Sequence, residues 1–154
     1  MADKISKHIS YKEATRSNTA LRRGIDNIPD VEEMENMKLI AEKVFEPLRK
    51  FVKGPIKINS FYRSPELNVA IGGSKTSQHC HGQAMDLDDT YGHRTNASIF
   101  TYISNHLDFD HLIWEFGDDK NPAWIHVSYV SEDKNRRRCL KAVKKSGKTT
   151  YELI

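Results

Sequence analysis

Ser77-Gln78-His79-Cys80-His81-Gly82-Gln83-Ala84-Met85-Asp86 sets a histidine and an aspartate seven residues apart around a glycine, and Trp124-Ile125-His126 follows downstream. Two imidazoles and one carboxylate form a donor set for a zinc ion that keeps a further position open for water or substrate. An ion held this way lowers the pKa of its water toward about 7, which makes hydroxide available at neutral pH for attack on an amide carbonyl. The chain has seven histidines, at 8, 79, 81, 93, 106, 111 and 126, and only local setting separates a ligand from an ordinary surface or core residue. His81, two residues from His79, points elsewhere if the segment is extended and is expected at the surface. Cys80 is adjacent to His79, and neighbours seldom turn toward one ion. His8, His93, His106 and His111 are expected to be structural.

The elements that must hold these groups can be read from caps and periodicity. Ser10-Tyr11-Lys12-Glu13 has the spacing of a capping box and predicts a short helix, and Asp30-Val31-Glu32-Glu33 predicts a longer one. Val31, Met34, Met37, Ile40, Ala41, Val44 and Leu48 recur at three- and four-residue steps as an apolar stripe. Pro47 should kink or split that helix, because it lacks an N–H and its ring clashes with the preceding turn. Lys53-Gly54-Pro55 ends it. A strand is predicted over Ile56 to Tyr62. Ser64-Pro65 then caps a helix closed by Gly72-Gly73. Further strands are predicted over Ala84 to Asp88, His111 to Phe116 and Trp124 to Val130, with a helix over Asn96 to His106. Arg137 to Val143 and Thr149 to Leu153 predict a last hairpin around Ser146-Gly147. This order predicts an α+β fold with a small, mostly antiparallel sheet flanked by helices.

Strand alternation says which side chains share a face. Ala84, Asp86 and Asp88 lie on one face, with Met85 and Leu87 on the other. Likewise Leu112, Trp114 and Phe116 should turn inward, leaving His111, Ile113 and Glu115 opposite. An antiparallel pairing through a six-residue loop over 118–123 sets Gly117 against Trp124 and Glu115 directly across from His126. Cross-strand neighbours have Cβ atoms about 4.5–5.5 Å apart. Glu115 would then stand beside the metal site without being a ligand, the position of a general base. Asp88 and Asp110 are candidates to orient the ligand histidines through hydrogen bonds.

The spacing His79-x-x-Gly82-x-Ala84-x-Asp86 resembles the signature of the zinc D-alanyl-D-alanine peptidases, which share their fold with hedgehog signalling domains. The similarity continues through His8-Ile9-Ser10, Asn27-Ile28-Pro29, Ser60-Phe61-Tyr62-Arg63-Ser64 and Trp124-Ile125-His126-Val127-Ser128. The resemblance implies that His79, Asp86 and His126 bind zinc and that Arg63 clamps a substrate carboxylate; Ser77 and Gln78, just before the first ligand, either hydrogen-bond the substrate or shape the loop. It departs at Ala123, where many relatives carry a catalytic acid three residues before the last ligand. Glu115 of Trp114-Glu115-Phe116-Gly117 looks like the substitute used in a compact, often phage-encoded branch. The implied activity is hydrolysis of an amide in the D-amino-acid-containing stem peptide of peptidoglycan, as a carboxypeptidase or as an endolysin-like endopeptidase.

Composition narrows the alternatives. At 154 residues and 38% hydrophobic, the chain suits one domain with one core. Cys80 and Cys139 are too few for a disulfide framework, and Met-Ala-Asp-Lys-Ile-Ser-Lys-His does not read as an apolar export segment. Synthesis in the cytoplasm, followed by delivery to the cell wall in phage lysis or as a virion component, is the expectation. No run of apolar residues is long enough to span a membrane. From Ser131 on, eight Lys or Arg stand against three acids, a net +5 within an overall +3. A basic end can approach an anionic polymer, but no base-reading motif or aromatic interleaving supports a nucleic-acid partner. A monomer is expected. The competing class is a zinc-containing binding or virion structural module without catalysis.

Overall fold

The computed structural model describes residues 4–154, and its helices begin where the sequence supplies caps. Ser10 accepts from the Glu13 N–H to open α1 (Tyr11–Thr15), and Ser17 accepts from Ala20 to open α2 (Asn18–Arg23). Asp30 and Glu33 cap α3 (Val31–Ile40) reciprocally. This helix runs through a π-helical turn, Ala41–Phe45, into α4 (Glu46–Val52). Pro47 does not split the run into separate helices; the π-helical turn just before it is where the regular α-helix is interrupted. The Glu46 N–H reaches back to the Ala41 carbonyl, and the widened turn makes room for the proline ring.

Met37, Ile40, Ala41, Val44 and Leu48 of the predicted stripe are buried, whereas Val31 is 80% exposed. Three-residue steps each fall about 60° short of a full turn, so two steps back from Met37 the side chain has rotated off the buried arc.

Six strands form one mixed sheet in the order β3 (Lys57–Ser60), β4 (Ala84–Asp88), β6 (Trp124–Ser128), β5 (His111–Glu115), β7 (Arg138–Lys145), β8 (Lys148–Leu153). Only β5 and β7 pair in parallel. With α5 (Pro65–Ala70), α6 (Asn96–His106) and a ribbon of β1 (Lys4–Ser6) and β2 (Ile9–Ser10), the fold is α+β, as the sequence predicts. The β1–β2 ribbon and α2 lay outside the sequence prediction. The last hairpin reaches two residues further than predicted along β7 and turns through Ser146 (φ 53) and Gly147 (φ 78), a two-residue turn suited to strand twist.

The sheet has a dry face and a working face. Met85, Leu87, Leu112, Ile125 and Val127 are fully buried against α3, α4 and α6, in a core that also takes in Ile9, Phe45 and Ile99. On the opposite face Ile113, Leu140 and Ala142 form a smaller apolar floor. Phe116 was expected on the dry face with Leu112 and Trp114. Instead it packs on that floor, because its φ of 55 breaks the strand alternation, and its ring lies 5.5 Å from Trp124. No helix among the described residues is long and apolar enough to cross a membrane.

Candidate metal centre

The motif folds as a turn feeding a strand. Ser77 accepts from the His79 N–H at 3.2 Å and so caps a 3₁₀ turn over Gln78–His81. Gly82 ends the turn at φ 71, where a Cβ would also lie 2.6 Å from the Glu33 carbonyl oxygen and 2.6 Å from Met37 Cγ. The motif glycine is therefore required both by its backbone angle and by the close approach of α3. This placement sets His79 Nδ1 2.8 Å from the Phe61 carbonyl oxygen. A carbonyl only accepts, so Nδ1 carries the hydrogen and Nε2 presents a lone pair.

That lone pair is the most informative atom in the site. His79 Nε2 is buried, has no hydrogen-bond partner among the described residues, and lies 3.4 Å from Asp86 Oδ1. Burial pushes the His79 imidazole down against the pull of Asp86, which favours the neutral ring. Two facing acceptors in a dry site call for a cation between them.

Asp86 on β4 and His126 on β6 are direct cross-strand partners, and His126 Nδ1 stands 3.0 Å from the same Oδ1. The two histidine rings are 5.2 Å apart and inclined at 74°, and one donor atom from each of the three residues lies within 4.8 Å of the others. A tetrahedral zinc with bonds of about 2.0–2.2 Å separates its ligand atoms by roughly 3.3 Å, so the donor set fits zinc. Burial alone would raise the Asp86 carboxyl, yet the two histidines outweigh it and hold the group well below the usual carboxylate range.

Arg63 serves this cluster rather than standing free. Its Nη2 donates to Asp86 Oδ2 at 3.2 Å, its Nε to Ser60 Oγ at 2.9 Å and its Nη1 to Asn68 Oδ1 at 3.4 Å. Oδ1 is thereby left for the histidines. Ser77 uses its oxygen on the cap, and Gln78 donates Nε2 to Asp110 Oδ2 at 2.9 Å. All three residues line the cleft, but each expected substrate contact already has a partner inside the protein.

Glu115 lies on the working face as predicted, with a different neighbour. The observed register pairs Glu115 with Trp124 and Ile113 with His126, two residues from the expected one. A slip of two preserves the face, so Glu115 is diagonal to His126, at about 7–8 Å between backbones and within reach of a long side chain. The loop of the hairpin is longer than predicted, 116–123 rather than 118–123, because Phe116 and Gly117 both take positive φ and leave the strand. Asp118 then closes a turn on Lys120 and Asn121. Burial and the Asp86 carboxylate push the Glu115 acid up to about 7, partly offset by His126.

Other expectations resolve simply. His81 is exposed, although the segment is a tight turn rather than extended chain. Asp88 accepts from Asn96, and Asp110 from Gln78 and Arg136, so neither orients a ligand histidine. The Phe61 carbonyl does that for His79. His111, expected to be structural, lines the cleft, as do Arg136, Leu140 and Tyr151. Those last three come from the segment after β6, and the sequence carried no local signal for them. Only the parallel pairing of β7 with β5 brings Leu140 beside Ile113. The whole cleft encloses about 720 Å³.

The largely buried His-Asp-His donor set could hold a metal ion, with the buried acid Glu115 two residues along the sheet. The profile of the peptidase M15 family matches residues 7–128, and the chain belongs to that family, the zinc D-alanyl-D-alanine peptidases. It is by membership a metallopeptidase. Among curated proteins, none matches the chain.

Proposed function

We propose that the chain hydrolyses an amide bond within the D-amino-acid-containing stem peptide of bacterial peptidoglycan, as a wall-lysing endopeptidase acting as a single zinc peptidase unit. The observation that carries the reading is the unpartnered Nε2 of His79 facing Asp86 Oδ1, with His126 Nδ1 on the same oxygen. His79, Asp86 and His126 would hold zinc, which when bound lowers the pKa of water and polarises a carbonyl. Arg63 fixes the Asp86 carboxylate in its ligating orientation. Glu115, buried beside the cluster, takes a proton from the attacking water and gives it to the departing amine.

The internal cut is favoured over trimming of a terminal D-alanine because Arg63, the expected clamp for a free terminus, is spent on Asp86. A cleft of about 720 Å³ also suits several residues of peptide. The net +5 from Ser131 on favours approach to an anionic wall, in keeping with a phage-type lysis or virion role. Digestion of purified sacculi followed by mass spectrometry of the muropeptides tests the reading. Freed stem fragments are expected. Loss of a single alanine would mean carboxypeptidase trimming, and intact muropeptides with zinc bound would mean a binding module.

A further inference from the structure

A second arginine reaches the cleft from beyond the matched segment, and its setting is the reverse of that of Arg63. Asp110 has no exposed surface. It accepts from Arg136 through the backbone N–H at 2.9 Å, Nε at 2.9 Å and Nη2 at 2.8 Å, and from Gln78 Nε2 at 2.9 Å. One buried carboxylate thus grips one edge of the guanidinium and ties it to the residue next to His79. The other edge is open. The Arg136 side chain is 54% exposed, and its Nη1 donates to nothing among the described residues. Arg63 by contrast is 16% exposed, with all three guanidinium nitrogens engaged.

We infer that Arg136, held by Asp110, anchors a carboxylate of the substrate peptide and decides which stem peptides the cleft accepts. The inference rests on the stem-peptide reading of the site. A guanidinium presents a planar fork that meets a carboxylate through two parallel charge-assisted hydrogen bonds. Because Asp110 already fixes the side chain, little rotamer freedom is lost when the ligand arrives. Asp110 offsets much of the charge of Arg136, while the segment from Ser131 on, Arg136 included, carries a net +5. A lysine-type stem peptide carries two kinds of carboxylate, at the chain terminus and on the backbone of γ-linked D-glutamate, and the chemistry of recognition is the same for both.

The test is binding rather than turnover. The zinc-loaded protein carrying Glu115→Gln is titrated calorimetrically with L-alanyl-γ-D-glutamyl-L-lysyl-D-alanyl-D-alanine, with its terminal carboxamide, and with its D-glutamate carboxamide. One carboxamide should bind at least about tenfold more weakly than the parent peptide, and which one does so identifies the carboxylate. Adding Arg136→Gln should bring that ratio to about one, and Arg136→Lys should restore part of it, because the charge survives without the fork. Asp110 keeps the backbone N–H of residue 136 and Gln78 in both variants, and an unchanged melting transition confirms an intact fold. A preference that persists in Arg136→Gln, the absence of any preference, or the absence of peptide binding would each overturn the inference. Incubation of the parent peptide with the unmutated zinc enzyme judges the peptidase reading separately. A carboxylate preference without cleavage sinks that reading and leaves the anchor standing.

Discussion

Replacing Glu115 by glutamine keeps the side chain's size and removes one ionisable proton, and its two consequences run in opposite directions. Glu115 is 8% exposed, and burial followed by the Asp86 carboxylate pushes its acid up to about 7. In the unfolded chain the same acid ionises near about 4.3. As pH rises between those values the unfolded state gives up its proton while the folded state keeps it. The contribution of Glu115 to stability is therefore fully present below about pH 4.3 and is lost as pH rises through 7. At about 1.4 kcal/mol per pKa unit, the loss is roughly 4 kcal/mol. Glutamine has no charge to bury, so the metal-free variant should exceed the native chain in stability by up to about 4 kcal/mol near pH 8. The gap should close toward pH 4.5.

Chelated protein is the right sample, because a bound cation would draw the acid down again. Urea unfolding followed by the fluorescence of Trp114 and Trp124, repeated across the pH range, reads the difference directly. Hydrolysis by the zinc form of the variant should meanwhile fall by about 10²–10⁴, the range of a general base. A stability difference that does not vary with pH would refute the burial argument, and turnover at the native rate would refute the catalytic role.

Two further substitutions test the scaffold. Gly82→Ala forces a side chain into left-handed backbone against the Glu33 carbonyl and Met37, and should cost about 2–4 kcal/mol in denaturant titrations while weakening zinc retention. Asp110→Asn removes the charge that accepts from Arg136 and Gln78, and thermal unfolding should report a loss of about 2–4 kcal/mol. Although burial opposes it, those hydrogen bonds hold the Asp110 carboxyl well below the usual range. Its contribution is thus present above about pH 4 and disappears as pH falls, so the deficit of the variant should shrink in acid.

The parts of the fold governed by neighbours in sequence were legible. The caps at Ser10, Asp30 and Ser64, the strand Ala84–Asp88 and the helix Asn96–His106 follow from short-range chemistry, and the structure has them at those positions. Strand parity correctly put Asp86 and Glu115 on one face, because alternation survives any even error of register. The register itself was missed, since the positive φ of Phe116 and Gly117 lengthens the loop between the strands without a sequence signal at Phe116. The contact of Arg63 with Asp86 was not legible for a related reason. Its partner Asp86 lies 23 positions away, and only the pairing of β3 with β4 brings the two together. The contribution of Arg136 and Tyr151 to the cleft was invisible, because it depends on β7 crossing to lie parallel with β5.

The central claim is that His79, Asp86 and His126 converge on one zinc ion. Diffraction from crystals of the zinc-loaded protein at the metal's absorption edge tests this most directly. The account predicts one anomalous peak about 2.0–2.2 Å from His79 Nε2, an Asp86 carboxylate oxygen and His126 Nδ1. A peak held by other side chains, or none at stoichiometric zinc, would contradict it.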